Sequence, residues 1–145
     1  MSDHSRLNLF LAGKGTVGSA LLSMLISQTQ KLKEENNLRI RLVGLAGSKS
    51  MILEREGLNG DTVINELEEK GIPASITDFR NKIIELNLAN SVFVDCTASE
   101  EVASVYQSLL EANISVVTAN KIAGSSSYAA YSLLKRTARE KGVKF

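Results

Sequence analysis

Residues 7 to 22, LNLFLAGKGTVGSALL, place a short apolar strand, a glycine turn and a helix-forming run in immediate succession. Few folds accept that order, and a dinucleotide pyrophosphate site requires it. Gly13 permits the tight turn, and Gly15 removes the side chain that would block close approach of a diphosphate. Gly18 lets the new helix pack against its own strand. The helix start then offers unpaired backbone N–H groups and a partial positive charge to phosphates. A G-x-G-x-x-G pattern alone is unspecific. The apolar strand before it, and Val17, Leu21, Met24, Leu25 and Gln28 expected on one helical face after it, make it a nucleotide-binding signature. The competing reading is a βα turn that binds nothing.

The rest of the chain extends the pattern. Short apolar runs at 7–12, 39–46, 91–95 and 115–117, with another beginning near Val143, alternate with segments of helical spacing. This predicts a Rossmann-like α/β fold, doubly wound, with a mostly parallel sheet and helices on both faces. Helices are expected from Thr16 to about Gln30, with the polar stretch 31–37 finishing the first, and over 61–70, ending at Gly71. A third covers 78–86, capped by Asp78. The clearest runs over 98–112, where Thr97 and Glu100 match a capping box. A last one covers 127–141, with Tyr131, Leu134 and Ala138 inward and Gly142 as its stop. Residues 1–6 read as a tail or linker remnant and 7–145 as one nucleotide-binding domain, cut at a domain boundary after the start of a strand.

Totals exclude several functions. Seventeen basic residues against 16 acidic ones leave a net charge of +1, so bulk charge gives nucleic-acid binding no support. No apolar run approaches the roughly 20 residues that span a bilayer, and no signal-peptide pattern precedes the first strand. The single cysteine, Cys96, cannot form an internal disulfide, which fits a reducing, cytoplasmic setting. His4, the only histidine, has no ligand partner nearby, so no metal site is expected.

Three segments beyond the glycine turn carry possible chemistry. In NAD-binding folds an acid commonly ends the second strand and bonds the ribose 2′-hydroxyl. Here residues 38 to 53 contain no acid, and Gly47-Ser48-Lys49-Ser50 stands in its place. Ser48 and Lys49, with Arg39 or Arg41 if near, suit a 2′-phosphate, so NADP is expected to bind at least as well as NAD; a solvated basic loop is the alternative. Asp95-Cys96-Thr97-Ala98-Ser99 closes the central strand, and Thr97 and Ser99 either bond the cofactor or simply cap the helix. Cys96 reads as a packing residue rather than a nucleophile, since no histidine is available as its base. Val116-Val117-Thr118-Ala119-Asn120-Lys121 ends another strand. There a lysine either bonds a substrate carbonyl or sits on the surface.

Taken in order and spacing, residues 10–18, 94–99 and 116–121 resemble homoserine dehydrogenase. Residues 122–128 look most like the form fused behind an aspartate kinase. The resemblance covers about 7–145, and its DCTAS and TANK segments are its diagnostic part. It implies NAD(P)-dependent interconversion of L-aspartate 4-semialdehyde and L-homoserine, a step toward threonine and methionine. By that resemblance Gly13, Gly15, Thr16, Val17 and Gly18 form the pyrophosphate loop. Thr97, Ala98 and Ser99 lie beside the nicotinamide ribose, with Asn120 and Lys121 also at the cofactor, and Lys121 is catalytic. The family's substrate-binding domain would begin after Phe145, so this chain is expected to bind cofactor without turnover. The parent protein is expected to be homo-oligomeric. Lys14 departs from the pattern, a long cation facing either the phosphates or solvent. The alternatives are a nucleotide-sensing module without catalysis and a structural domain that binds nothing.

Overall fold

The computed structural model describes residues 5–120 and 127–145. Its order is β1 (Ser5–Ala12), α1 (Thr16–Asn36), β2 (Leu38–Ala46), β3 (Ser50–Leu53), α2 (Val63–Lys70), β4 (Ile72–Pro73), α3 (Ile76–Leu86), β5 (Ser91–Asp95), α4 (Glu100–Ala103), α5 (Tyr106–Glu111), β6 (Ser115–Thr118) and α6 (Tyr128–Lys141). One six-stranded sheet runs β4-β3-β2-β1-β5-β6. The four strands β2, β1, β5 and β6 are parallel, and β3 and β4 add an antiparallel edge. The fold is therefore α/β and Rossmann-like, with a mostly parallel sheet.

Alternation along the strands sorts side chains into two cores. Leu9 and Leu11 of β1 meet Leu22 of α1 and Val63 and Leu67 of α2 on one face. Phe10 and Phe93 meet Phe79 and Ile83 of α3, Leu109 and Leu110 of α5, and Ala138 of α6 on the other. Each of these large side chains contributes about 1.5–3 kcal/mol when fully buried. Because both faces are covered, the carboxyl halves of the parallel strands, such as LFLA in β1 and LVGLA in β2, read as continuous apolar runs rather than alternating ones.

Several boundaries differ from those the sequence suggests. The inward face of α1 is Gly18, Leu21, Leu22 and Leu25, while Val17 and Met24 are 54% and 61% exposed. A helical wheel cannot fix that phase, because Gly18 is buried by close approach and carries no hydrophobic signal. Ser75, not Asp78, caps α3, its Oγ accepting from Asp78 N. Residues 98–112 form two short helices, broken at Ser104 and Val105, with Ser99 rather than Thr97 at the cap. Residues 143–145 form no strand. Lys144 O accepts one bond from Val116 N, and the Phe145 ring instead packs on Tyr106 and Tyr131. Tyr131 is more exposed than expected, although Leu134 and Ala138 do face the core. Gly71 ends α2 in an extended conformation that leads directly into β4.

Candidate functional site

β2 lies on one side of β1 and β5 on the other, and the helices that follow β1 and β5 pack on opposite faces of the sheet. The chain therefore diverges between the carboxyl ends of β1 and β5, the point where an open α/β sheet opens a crevice. A cleft of about 710 Å³ sits there. Its walls come from the β1–α1 turn (Gly13, Lys14, Gly15), the end of β2 (Ala46, Gly47, Ser48), the start of α3 (Ala74, Ser75, Ile76) and the segment after β5 (Cys96, Thr97, Ser99). Backbone bonds stitch these walls together: Gly13 N donates to Ala46 O at 2.8 Å, and Cys96 N to Ala12 O at 2.9 Å.

The turn is built by the absence of side chains. Gly13 has φ +100°, and a Cβ there would lie 2.9 Å from Cys96 O. A Cβ on Gly18 would lie 2.0 Å from Gly13 O, so the helix cannot seat under the turn with any other residue. Gly15 differs from both. Its Cβ would meet nothing within 4 Å and would simply occupy open space at the cleft wall. No side chain caps α1 and no acid stands in its first turn, whereas serines cap α3, α4 and α6. The first N–H groups of α1 thus face a cradle that a side chain would fill. That arrangement fits a diphosphate.

The opposite wall is built by side chains. Asp95, at the end of β5, is fully buried. Its Oδ1 accepts from Thr97 N at 2.7 Å and from Thr97 Oγ1 at 2.6 Å. Its Oδ2 accepts from Tyr106 OH and, at 3.0 Å, from Asn120 Nδ2. Asn120 Nδ2 also donates to Ser99 O, and Asn120 N to Thr118 Oγ1, which pairs with Tyr106 OH. One carboxylate therefore ties the segment after β5 to the segment after β6. Sequence reading passed over Asp95 and Tyr106 in this role. The available signal was a single acid closing the apolar run SVFVD. Burial, and then the bond to Asp95, push the Tyr106 phenol well above its ordinary value. Burial, and then the Asp95 charge, also raise the Cys96 thiol, which opposes the thiolate a nucleophile needs.

The cleft brings together Gly13, Gly15, Ser48, Thr97 and Ser99 of the residues expected from sequence. Thr16 and Val17 are exposed at the start of α1, and Gly18 is buried beneath the turn. Ala98 is exposed and is not part of the wall, and Asn120 is only 4% exposed, held within the Asp95 network. Lys49 occupies the tip of the tight hairpin between β2 and β3, closed by Gly47 N donating to Ser50 O. It is exposed and lines no part of the cleft. Arg39 and Arg41 lie near the start of β2, at the far end of the sheet from the cleft, where Arg41 Nε donates to Asn8 Oδ1. Lys121 and His4 lie outside the described residues. Among the described residues no group of acids, cysteines or histidines could hold a metal ion, and no helix is long and apolar enough to cross a membrane.

Comparison with known proteins matches residues 13–145 to the family described as homoserine dehydrogenase, NAD binding domain. A bifunctional aspartokinase/homoserine dehydrogenase 2 of Arabidopsis thaliana is 36% identical over 139 residues, which is 95% of this chain and 15% of that protein. The bifunctional enzyme of Haemophilus influenzae is 34% identical over 96% of this chain and 17% of its own length. This chain thus spans about a sixth of the relatives it matches. Among solved structures, a hyperthermophilic archaeal homoserine dehydrogenase in complex with NADPH superposes with a TM-score of 0.73. That match has 20% identity and covers 96% of this chain and 42% of the other.

Proposed function

The chain belongs to the homoserine dehydrogenase NAD-binding domain family, and on that premise we propose that it holds the nicotinamide dinucleotide for interconversion of L-aspartate 4-semialdehyde and L-homoserine. The observation that carries the reading is the cradle at Gly15, open where a Cβ would point and backed by an uncapped helix start. The archaeal relative solved with NADPH supports the same ligand class. When bound, the nicotinamide supplies or accepts the hydride. This chain's residues do the rest of the holding. The first N–H groups of α1 and the 13–18 turn bind the diphosphate, and Thr97 and Ser99, fixed through Asp95, form the wall beside the nicotinamide ribose. Thr97 Oγ1 donates to Asp95 and accepts from Ser99 N at 3.2 Å, so it holds this wall in shape as a rigid surface for the cofactor to lie against.

Lys121 follows directly on Asn120, whose amide is anchored to Asp95 and Ser99. In this reading Lys121 directs its ammonium to the carbonyl oxygen of the semialdehyde, where negative charge develops during reduction. Such assistance contributes roughly a hundredfold to ten-thousandfold in rate. Turnover and substrate binding would need residues beyond this chain, and the names of the bifunctional relatives support fusion to an aspartate kinase. A homo-oligomeric parent, and a reducing compartment such as the cytoplasm for the lone thiol, complete the proposal.

Calorimetric titration of the chain with NADPH and NADH tests the binding half. Saturable heat is expected, and none for either dinucleotide would overturn it. In an intact enzyme containing this domain, Lys121→Ala should lower kcat far more than it weakens NADPH. Near-normal turnover would return Lys121 to the role of a surface residue.

A further inference from the structure

The end of β2, where this fold meets the adenosine ribose, carries no acid of its own, and residues 38 to 53 contain none. The hairpin tip that follows turns Lys49 away from the cleft. The cation that does reach this corner comes from elsewhere. Lys14, the second residue of the glycine turn, lines the cleft and lays its stem across Gly47. A Cβ on Gly47 would lie 3.4 to 3.6 Å from Lys14 Cε, Cδ and Cγ, which is ordinary packing distance, so the stem rests directly over the end of β2. The Lys14 ammonium ends 4.0 Å from Glu68 Oε1 on α2, with both side chains partly in solvent. That distance is the outer limit of an ion pair, and such exposed pairs contribute about 0–1 kcal/mol. A doubly charged phosphate would draw the ammonium more strongly than this loose carboxylate does.

We infer that Lys14 is the group that reads the 2′-phosphate, so that this chain prefers the 2′-phosphorylated dinucleotide, and that Glu68 is the carboxylate that opposes it. The inference rests on the cofactor reading above and goes beyond it, assigning selectivity to a residue inside the glycine turn. Lys14 swings from Glu68 to the phosphate when NADP binds. With NAD the same ammonium keeps its carboxylate and contributes little. The negative charge of Glu68, left near the phosphate, holds the selectivity below what Lys14 alone would give.

The test is titration of the chain with NADPH and NADH at one ionic strength, repeated for Lys14→Met, Glu68→Gln and Lys49→Ala. The parent chain should prefer NADPH. Lys14→Met should weaken NADPH about tenfold or more, one lost charge-assisted contact, while NADH affinity falls far less. Glu68→Gln should tighten NADPH and widen the preference, and Lys49→Ala should leave the ratio unchanged. Equal losses for both dinucleotides in Lys14→Met, or a shifted ratio in Lys49→Ala alone, would overturn the assignment while leaving the cofactor site intact. Binding of neither dinucleotide by the parent chain would overturn the cofactor reading itself. Retained NADH affinity in Lys14→Met serves as the check that the variant is folded.

Discussion

The two walls of the cleft solve one problem, fixing a loop at the end of a strand, by opposite means. Between β1 and α1 the loop is fixed by removing side chains. Gly13 and Gly18 are in such close contact with backbone that no Cβ fits. After β5 and β6 the loops are fixed by adding a buried carboxylate that four donors share. The first solution leaves backbone N–H groups exposed to a ligand. The second spends its hydrogen bonds internally and presents a rigid surface. An anion site needs the first kind of wall, because donors already used within the protein have nothing left for a phosphate.

If the second wall depends on Asp95, its removal should be the most damaging change. Asp95→Ala takes the acceptor from both Thr97 donors and one of the partners from Tyr106 OH and Asn120 Nδ2, in a buried place, at a cost of about 4 kcal/mol. Urea unfolding measures it, and a loss under about 1 kcal/mol would show the network to be incidental. The first wall should be nearly as intolerant of an added methyl group. Gly18→Ala drives a Cβ to 2.0 Å from Gly13 O. Backbone must move to relieve that contact, so about 3 kcal/mol is expected, near the upper end for overpacking. An unchanged unfolding midpoint would mean the turn is not packed as described.

Tyr106→Phe sharpens the comparison by touching the network at one bond. About 1 to 2 kcal/mol should be lost at neutral pH. The pH dependence carries a clearer signature. Burial raises the Tyr106 phenol above the ordinary tyrosine value near 10. Above that pH the unfolded chain releases this proton while the folded one keeps it, so stability falls as pH rises. The slope approaches about 1.4 kcal/mol per pH unit for a single group. Tyr106→Phe should lack this part of the alkaline decline. An identical slope in the variant would contradict a proton held by the fold.

The same contrast explains what could be read from the amino-acid order. The β1–α1 turn was legible because its determinants lie within six residues, and the apolar strand before and helical run after give an otherwise unspecific glycine spacing its meaning. The four parallel strands were legible because burial on both faces leaves short, largely apolar runs, broken by Asn8 in β1 and by Arg39 and Arg41 in β2. The Asp95 network was not, since its partners Tyr106, Thr118 and Asn120 are up to 25 residues away and meet only when β5 and β6 pair. β3 and β4 escaped notice for a related reason. Ser50–Leu53 is four residues long, and Ile72–Pro73 gains strand character only from its neighbour. Lys49 was expected at the ribose because its position along the chain fits, yet a tight hairpin turns it outward. Lys14 reaches that corner from the glycine turn, its stem lying across Gly47, a contact between segments more than 30 residues apart.

The central claim is that Gly15 is glycine for the sake of a ligand, where Gly13 and Gly18 are glycine for the sake of the fold. Gly15→Val tests it in one preparation, by unfolding and by titration with NADPH. Nothing lies within 4 Å of the Cβ direction, and the residue sits at the N-cap of α1 with extended backbone that valine accepts. Stability should therefore change by less than about 1 kcal/mol, while NADPH affinity falls by about a hundredfold or more, because the side chain occupies the space where the diphosphate must approach. A valine variant that binds NADPH as the parent chain does would contradict the claim and remove the turn from the site.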